Sequence, residues 1–443
     1  MSAHSERARQ WVHIGSAGFA LLLRVITWRE AAGLAMLALV FNVFVLPRAG
    51  GQRLYRPADA ARGFPIGILL YPVAVLLLIV TFRTRLDLVA AAWAVLAFGD
   101  GFATLAGQRV ARQRLPWNPD KSVAGSVAFV LCGAAGATGF ALWTRPAVTP
   151  PPTVAFTVAA SVLAAIAAAL VESIPVRLDD NLSVPAAAGA TLWLASLVTP
   201  DAWSASRQMV IGSAPLAVLF NTVVAWLGYR AGTVSVSGAV GGAVIGAAIF
   251  SAAGANAWLL LFLSFLAATL ASRLGRRRKE RLGIAEARGG RRGAGNAFAN
   301  CGVATIAAIL AATTRFPAEW LLALTAALTA GASDTVASEI GKAWGRTTVL
   351  ATTLRRVPPG TPGAMSLEGT AAGVAAAAAL GAAAAAMGLI TATSILAVVV
   401  GATAGALIES ALGATLEPAG IVNNDMLNFI NTATAAAIAV AIG

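Results

Sequence analysis

Charge is scarce in this chain: Asp, Glu, Lys and Arg make up 12% of its 443 residues against 58% hydrophobic, and mean hydropathy is +0.77. A soluble globular domain carries roughly 25% charged residues, so the balance excludes that class and identifies an integral membrane protein. The only cysteines, Cys132 and Cys301, lie in apolar surroundings without metal-site spacing, which excludes a disulfide framework and a zinc site. The two histidines, His4 and His13, precede every motif described below, so the expected chemistry runs without a histidine base. No cleavable signal peptide is expected, because residues 1–10 are polar and Arg24 and Arg29 interrupt the apolar run that follows. A net charge of +13 and a pI near 11.2 would suit nucleic acid. The basic residues, however, sit in short loops between apolar runs, as topology determinants do, and no recognition module accompanies them.

What is present in abundance is apolar sequence in lengths that cross a bilayer. Reading runs of about 16 to 23 residues as spans predicts an all-α polytopic protein of about fifteen transmembrane helices in two related bundles. The polar, Pro-containing stretch from Thr199 to Met209 is read as an external loop between domains spanning 1–205 and 206–443. Basic loops recur at Arg48, Arg53, Arg56 and Arg62; at Arg109, Arg112, Arg114 and Lys121; from Arg273 to Arg292; and at Lys342, Arg346, Arg355 and Arg356. An even number of expected spans separates each pair, so all can face the cytoplasm. The Ala-rich and Gly-rich segments, above all Ala371–Ala386, are expected at the centre of a bundle, since small side chains let helices approach closely.

Four polar islands recur in one order. Asp100, Thr104 and Gly107 repeat the offsets of Asp334, Ser338 and Gly341, which share one helix face because 4 and 7 residues are close to whole turns. A Ser-x-x-Gly-Ser/Thr frame follows each, at Ser122–Ser126 and Ser366–Thr370. Glu172-Ser173 is answered by Glu409-Ser410, and Asp179-Asp-Asn-Leu182 by Asn424-Asp-Met-Leu427. The recurrence suggests two related catalytic units. A carboxylate within an apolar helix costs roughly 2.5–3.5 kcal/mol on insertion scales, and further carboxylates converge on the same end. Asp100, Glu172 and Asp180 in one copy, and Asp334, Glu409 and Asp425 in the other, therefore read as hard oxygen ligands suited to magnesium. Lys121 beside Ser122 and a helix start is good phosphate chemistry, although Pro119 and Asp120 exclude a Walker motif. Gly360, Gly363 and Gly369 offer close backbone approach to a ligand. Arg291 and Arg292, with Asn296 and Asn300 one turn apart, suit an anionic substrate. Glu339, about 140° around the helix from Asp334, is expected to serve packing or a loop contact.

At these motifs a resemblance is recognisable. Positions 30–199, through Gly99-Asp-Gly-Phe-Ala-Thr-Leu-Ala-Gly107, Lys121-Ser-Val-Ala-Gly-Ser126, Glu172-Ser173 and Asp179-Asp-Asn-Leu182, resemble the phytol kinase and dolichol kinase family, which is itself similar to phosphatidate cytidylyltransferases. Positions 210–443, through Asp334-Thr-Val-Ala-Ser-Glu-Ile-Gly341, Pro359-Gly-Thr-Pro-Gly363, Ser366-Leu-Glu-Gly-Thr370 and Asn423-Asn-Asp425, resemble the membrane family that includes plant phytyl-phosphate kinase. The resemblance implies a bifunctional kinase that converts a prenyl alcohol of the phytol or geranylgeraniol type to its monophosphate and then its diphosphate. CTP is the implied donor, at the cytoplasmic face of the plasma membrane if the source is bacterial. On that basis Asp100 and Asp334 hold metal, while Asp180 and Asp425 add a ligand or take the hydroxyl proton. Nucleotide phosphates fall to Lys121, Ser122, Gly125 and Ser126, and in the second copy to Thr361, Ser366, Gly369 and Thr370. The second copy departs from the first with Met365 in place of Lys121, which leaves Lys342, Arg346 or Arg356 to supply its cation, and from its relatives with Glu409 where Asp is common. Nucleotidyl transfer to a lipid phosphate, and a secondary transporter built from duplicated bundles, are the alternatives.

Overall fold

Helices begin where the sequence supplies a cap. Thr27 Oγ1 accepts from Glu30 N while the Glu30 carboxylate accepts from Thr27 N. Thr153, Ser122, Thr199, Ser235, Ser366 and Asn423 each accept from the amide three residues on. A side-chain oxygen there satisfies one of the donors that every helix start leaves open. The computed structural model describes residues 3–49, 66–110, 113–285 and 290–443, the first six of these as backbone only. Arg53, Arg56, Arg62, Arg112 and Arg288 of the basic loops lie outside the described residues, as does the side chain of His4.

The chain divides into two units, Met1–Ser196 and Leu197–Gly443. Unit 1 runs α1 (Ala3–Ser16), α2 (Trp28–Val40), α3 (Ile66–Thr81), α4 (Leu86–Ala94) and α5 (Gly101–Arg109), the last two joined by a π-helical turn, Val95–Asp100. A hairpin of β1 (Arg114–Leu115) and β2 (Asn118–Ser122) leads into α6 (Val123–Thr144), α7 (Val154–Glu172) and α8 (Asp180–Ser196). Unit 2 runs α9 (Pro200–Arg230), α10 (Val236–Arg273), α11 (Arg276–Arg281), α12 (Ala294–Thr313) and α13 (Pro317–Trp344). A second hairpin, β3 (Thr348–Leu350) with β4 (Ala364–Ser366), leads into α14 (Leu367–Ala386), α15 (Ile395–Thr415) and α16 (Asn424–Ile442).

Among the described residues, eleven helices are long and apolar enough to cross a membrane, and Ile66–Thr81 is a shorter apolar one. The difference from fifteen expected spans has identifiable sources. Residues 11–26 form the end of α1 and a 3₁₀ helix, α3 and α8 are short, and α10 carries two apolar arms in one element. Within α10, Gly254 takes φ +82°. A Cβ on Gly246 would lie 3.3 Å from Trp258 Nε1, a contact that a straight helix forbids at 1.5 Å rise per residue. The arms therefore fold back on each other at Gly254, as two separate spans would.

Two expectations are corrected. Thr199–Met209 is helix, not loop: Thr199 caps and Pro200 occupies the first turn, so the apparent breaker is a start signal. The Ala-rich α14 is not the centre of its bundle, with 33% of its most apolar stretch buried. The central elements carry the key aspartates: 67% for α13 and 78% for Leu86–Arg109. Small residues on α14 serve instead to bring one face onto α13, where a Cβ on Gly373 would already lie 2.9 Å from the Ala337 Cβ. Outward-facing side chains such as Leu216, Val218 and Leu219 of α9 are exposed and apolar, as a lipid-facing surface requires.

Candidate functional site

In unit 1 the helices alternate in direction, so the end of α5, the start of α6, the end of α7 and the start of α8 meet at one end of the bundle. One carboxylate oxygen each of Asp100, Glu172 and Asp180 lies within 4.8 Å of the other two. Asp100 closes the π-helical turn; such turns widen a helix and favour functional positions. Lys121 Nζ sits among these groups, 2.5 Å from Glu172 Oε1 and 3.1 Å from Asp180 Oδ2. Burial alone would lower the ammonium pKa, but Asp180 and Glu172 outweigh it, and the net direction is upward. The hairpin that carries Lys121 is pinned to the end of α7: Trp117 Nε1 donates to Ser173 Oγ and Asn118 Nδ2 to Ser173 O.

His13, which the sequence left outside every motif, reaches this site. Its Nε2 lies 3.6 Å from Asp100 Oδ2 and 3.2 Å from Leu96 O, and its ring stands edge-on to Tyr71 at 4.8 Å. Tyr71 is itself held by Ser16 Oγ and Trp93 Nε1. No spacing signals this contact, since it crosses from the first helix to the fifth. Ser122 Oγ is committed to capping α6 through Gly125 N at 3.1 Å, while Ser126 Oγ is buried without a partner. Asp179 accepts from the backbone and side-chain amides of Asn181 and so orders the start of α8.

The second copy repeats the framework but not the full gathering. Ser366 Oγ caps α14 through Gly369 N at 3.1 Å. A Cβ on Gly369 would meet Ala337 O at 2.5 Å, and one on Gly125 would meet Ala103 O at 3.1 Å, so each capped helix lies against the carbonyl three residues after its aspartate. Gly107 and Gly341 are likewise apposed to the capping Ser122 and Ser366. Glu409 lies close enough to Asp334 to feel its charge, while Glu409 Oε2 and both polar side-chain atoms of Asn431 are buried without hydrogen-bond partners. Asp425 instead abuts Gly295 at the start of α12. Among the described residues, no three acidic groups of unit 2 approach as closely as those of unit 1, and no Lys or Arg nitrogen lies within 4.0 Å of Asp334, Glu409 or Asp425.

Of the expected cations of this copy, Lys342 is committed to another carboxylate, and Arg346 and Arg356 make backbone contacts. Lys342 is 2.9 Å from Glu339, whose buried carboxylate also pairs with buried Lys279, in line with its expected packing role. Arg346 meets Glu368 through its backbone amide, and Arg356 bridges Val349 through its backbone. Gly360 and Gly363, expected to admit a ligand, admit other parts of the chain: Gly360 packs on Ile284 and Gly363 on Ser410 and Ala414 of α15. Thr361 donates to Pro358 O, and Thr370 lies half-buried in the first turn of α14.

Between α9, α10, α12 and α13 of unit 2 lies an apolar cleft enclosing about 1000 Å³, open space at its mouth included. Arg292, Asn296 and Asn300 line it, whereas Arg291 lies against Gly232 outside it. The Arg292 guanidinium stands 5.6 Å from the Phe265 ring centre. Asn300 Nδ2 donates to Asn296 O, but Asn300 Oδ1 and Ser264 Oγ are buried in the cleft wall without partners. An unmatched buried polar atom costs roughly 1–3 kcal/mol.

The profile of the family described as integral membrane protein DUF92 matches residues 219–436. An uncharacterized membrane protein of Synechocystis is 40% identical over 42% of this chain and 74% of its own length. Protein VTE6, chloroplastic, of Arabidopsis thaliana is 37% identical over 41% of this chain, which spans 57% of that protein. A protein of Oryza sativa named "Probable phytol kinase 2, chloroplastic" is 36% identical over 20% of this chain and 30% of its own length. No solved structure matches.

Proposed function

Because the chain belongs to the DUF92 family of multi-pass integral membrane proteins, we propose that it is a prenyl alcohol and prenyl phosphate kinase. Unit 1 phosphorylates a prenyl alcohol and unit 2 its monophosphate, with CTP as donor and both sites facing the cytoplasm. The observation that carries this reading is one construction found in both units, a Ser-capped helix start packed on the turn after an intramembrane aspartate. The likeness to the rice protein named a phytol kinase supports the alcohol as acceptor. The recurrence also supports descent of the units from one duplicated ancestor.

Phosphoryl transfer needs alignment and charge neutralisation more than covalent help. In unit 1, the Lys121 ammonium and the free amides at the start of α6 neutralise and orient the donor phosphates. Asp180 accepts the proton of the attacking hydroxyl as its oxygen bonds to the terminal phosphorus and the bond to the leaving CDP oxygen breaks. Magnesium fits here, since three hard oxygen donors converge within 4.8 Å. Asp100, Glu172 and Asp180 would hold it, and when bound it supplies further neutralisation of the phosphate charge. In unit 2, Asp334 and Glu409 are the paired donors, Asp425 stands at the cleft side beside Asn296, and the α14 start with Ser366, Gly369 and Thr370 faces the phosphates.

The test follows label from CTP into lipid in purified protein supplied with magnesium and prenyl alcohol. Gamma label is expected in the monophosphate and then the diphosphate. Alpha label in lipid would replace this reading with nucleotidyl transfer. Absence of any labelled lipid, with solute accumulation in vesicles, would replace it with transport.

A further inference from the structure

We propose that the cleft of unit 2 holds the apolar tail of the lipid substrate, and that Trp258 and Asn221 form the floor that limits how long a tail fits. This rests on the kinase reading only for the nature of the headgroup.

The cleft has a direction. Its mouth lies where α12 begins: Arg292 is the one charged residue among those lining it, and Asp425 abuts Gly295 immediately before Asn296. An anionic head therefore meets a cation and an amide beside the carboxylates of the site, while the remaining walls are apolar. From the mouth, α9 runs inward from Gly228 to Asn221 and the first arm of α10 from Gly238 to Ile245, each about 10 Å at 1.5 Å per residue. Ser264 Oγ and Asn300 Oδ1 lie in the wall without partners.

The floor is fixed rather than adjustable. Trp258 Nε1 donates to Asn221 Oδ1 at 2.8 Å, and Asn221 Nδ2 donates to Ala217 O at 2.9 Å. The indole is flanked by Phe220 edge-on at 4.7 Å and by Phe262 stacked at 5.5 Å. Held on three sides, the ring cannot swing aside for a longer chain. The wall, in contrast, has room that helix packing does not require. Gly238 and Gly241 are pressed against residues 292–298 at the start of α12, but a Cβ on Gly242 would meet nothing within 4 Å. Gly242 lines the cleft, so a side chain added there would take up part of its volume.

The experiment uses the full chain in nanodiscs with geranyl, farnesyl and geranylgeranyl monophosphates, reading both ligand retention by native mass spectrometry and phosphorylation by CTP. Trp258→Ala is expected to raise the geranylgeranyl-to-geranyl ratio of kcat/KM and of retention about tenfold, and Gly242→Leu to lower it about tenfold, the size of effect that a small change in apolar pocket volume produces. Identical length profiles in wild type and both variants would overturn the cleft assignment even with full wild-type turnover. Retention that shifts with the variants while wild type phosphorylates nothing would keep the cleft and sink the kinase reading. Should Trp258→Ala fail to fold, Gly242→Leu decides alone, because its added side chain enters open space.

Discussion

At the scale of single residues, the two units treat the same problem differently. Unit 1 neutralises its carboxylates with Lys121, whereas Met365 stands at the corresponding place in unit 2 and no cation pairs with Asp334, Glu409 or Asp425 among the described residues. Lys121→Met should abolish alcohol phosphorylation and lower stability by about 2 kcal/mol, checked by thermal unfolding in detergent. That is below the roughly 3–5 kcal/mol of a fully buried pair because Asp180 is 35% exposed. The folded pKa of Lys121 is raised above its unfolded value, so the stabilisation is complete below the ordinary lysine pKa of about 10.4. It is lost only as pH climbs through the higher folded value. Unit 1 should thus keep its Lys121-dependent stability through mildly alkaline pH, and a loss near pH 9 that disappears in Lys121→Met would contradict the assignment. Asp100→Asn should stop alcohol phosphorylation, and Asp334→Asn should accumulate monophosphate, both read by lipid chromatography. Normal diphosphate from both variants would show the chemistry to lie elsewhere. Asp100 and Asp334 were legible in sequence because a carboxylate among apolar residues is costly. His13 was not, because only the folded helix α1 brings it to Asp100.

At the scale of elements, the helix starts at Ser122 and Ser366 were legible, the one at Thr199 was not, and neither were helix neighbours. Ser122 and Ser366 were found through a frame that suggested phosphate contacts, and each hydroxyl is occupied as a cap. What the frame encodes more directly is the glycine three positions on, which lets the capped helix touch the aspartate helix. Gly369→Ala places a Cβ 2.5 Å from Ala337 O, whereas Gly125→Ala leaves 3.1 Å to Ala103 O. The first substitution must push α14 from α13, while the second requires a shift of a few tenths of an ångström. Expression and melting temperature should therefore fall more for Gly369→Ala, and monophosphate should accumulate in it. Equal behaviour of the two variants would deny that close approach matters. The two hairpins escaped the sequence reading because their strands run for only two to five residues, too few to show the alternation that marks a half-buried strand. The Ala-rich α14 misled in the opposite way, since small residues permit close approach on one face without requiring burial on all.

At the scale of the whole molecule, membrane class and helical architecture were legible, because both follow from composition and the length of the apolar runs. Within unit 2 the basic segments 273–285 and 342–356 meet at one end: a Cβ on Gly275 would contact Ala343 and Trp344. The opposite end is formed by the turn at Gly254 and the segment after α14, joined by Asn256 Nδ2 donating to Met387 O at 2.8 Å. Positive loops are retained in the cytoplasm, so the end with Ser366, Asp425 and the cleft mouth should face nucleotide. With Cys132 and Cys301 replaced by Ala, a cysteine introduced at exposed Arg277 should react with an impermeant maleimide only after cells are opened. One at exposed Ala392 should react in intact cells. The reverse pattern would set the carboxylates of unit 2 on the side where no nucleoside triphosphate is maintained. A phosphoryl donor of that kind could not then reach the starts of α14 and α16, and the kinase reading of unit 2 would fall on topology alone.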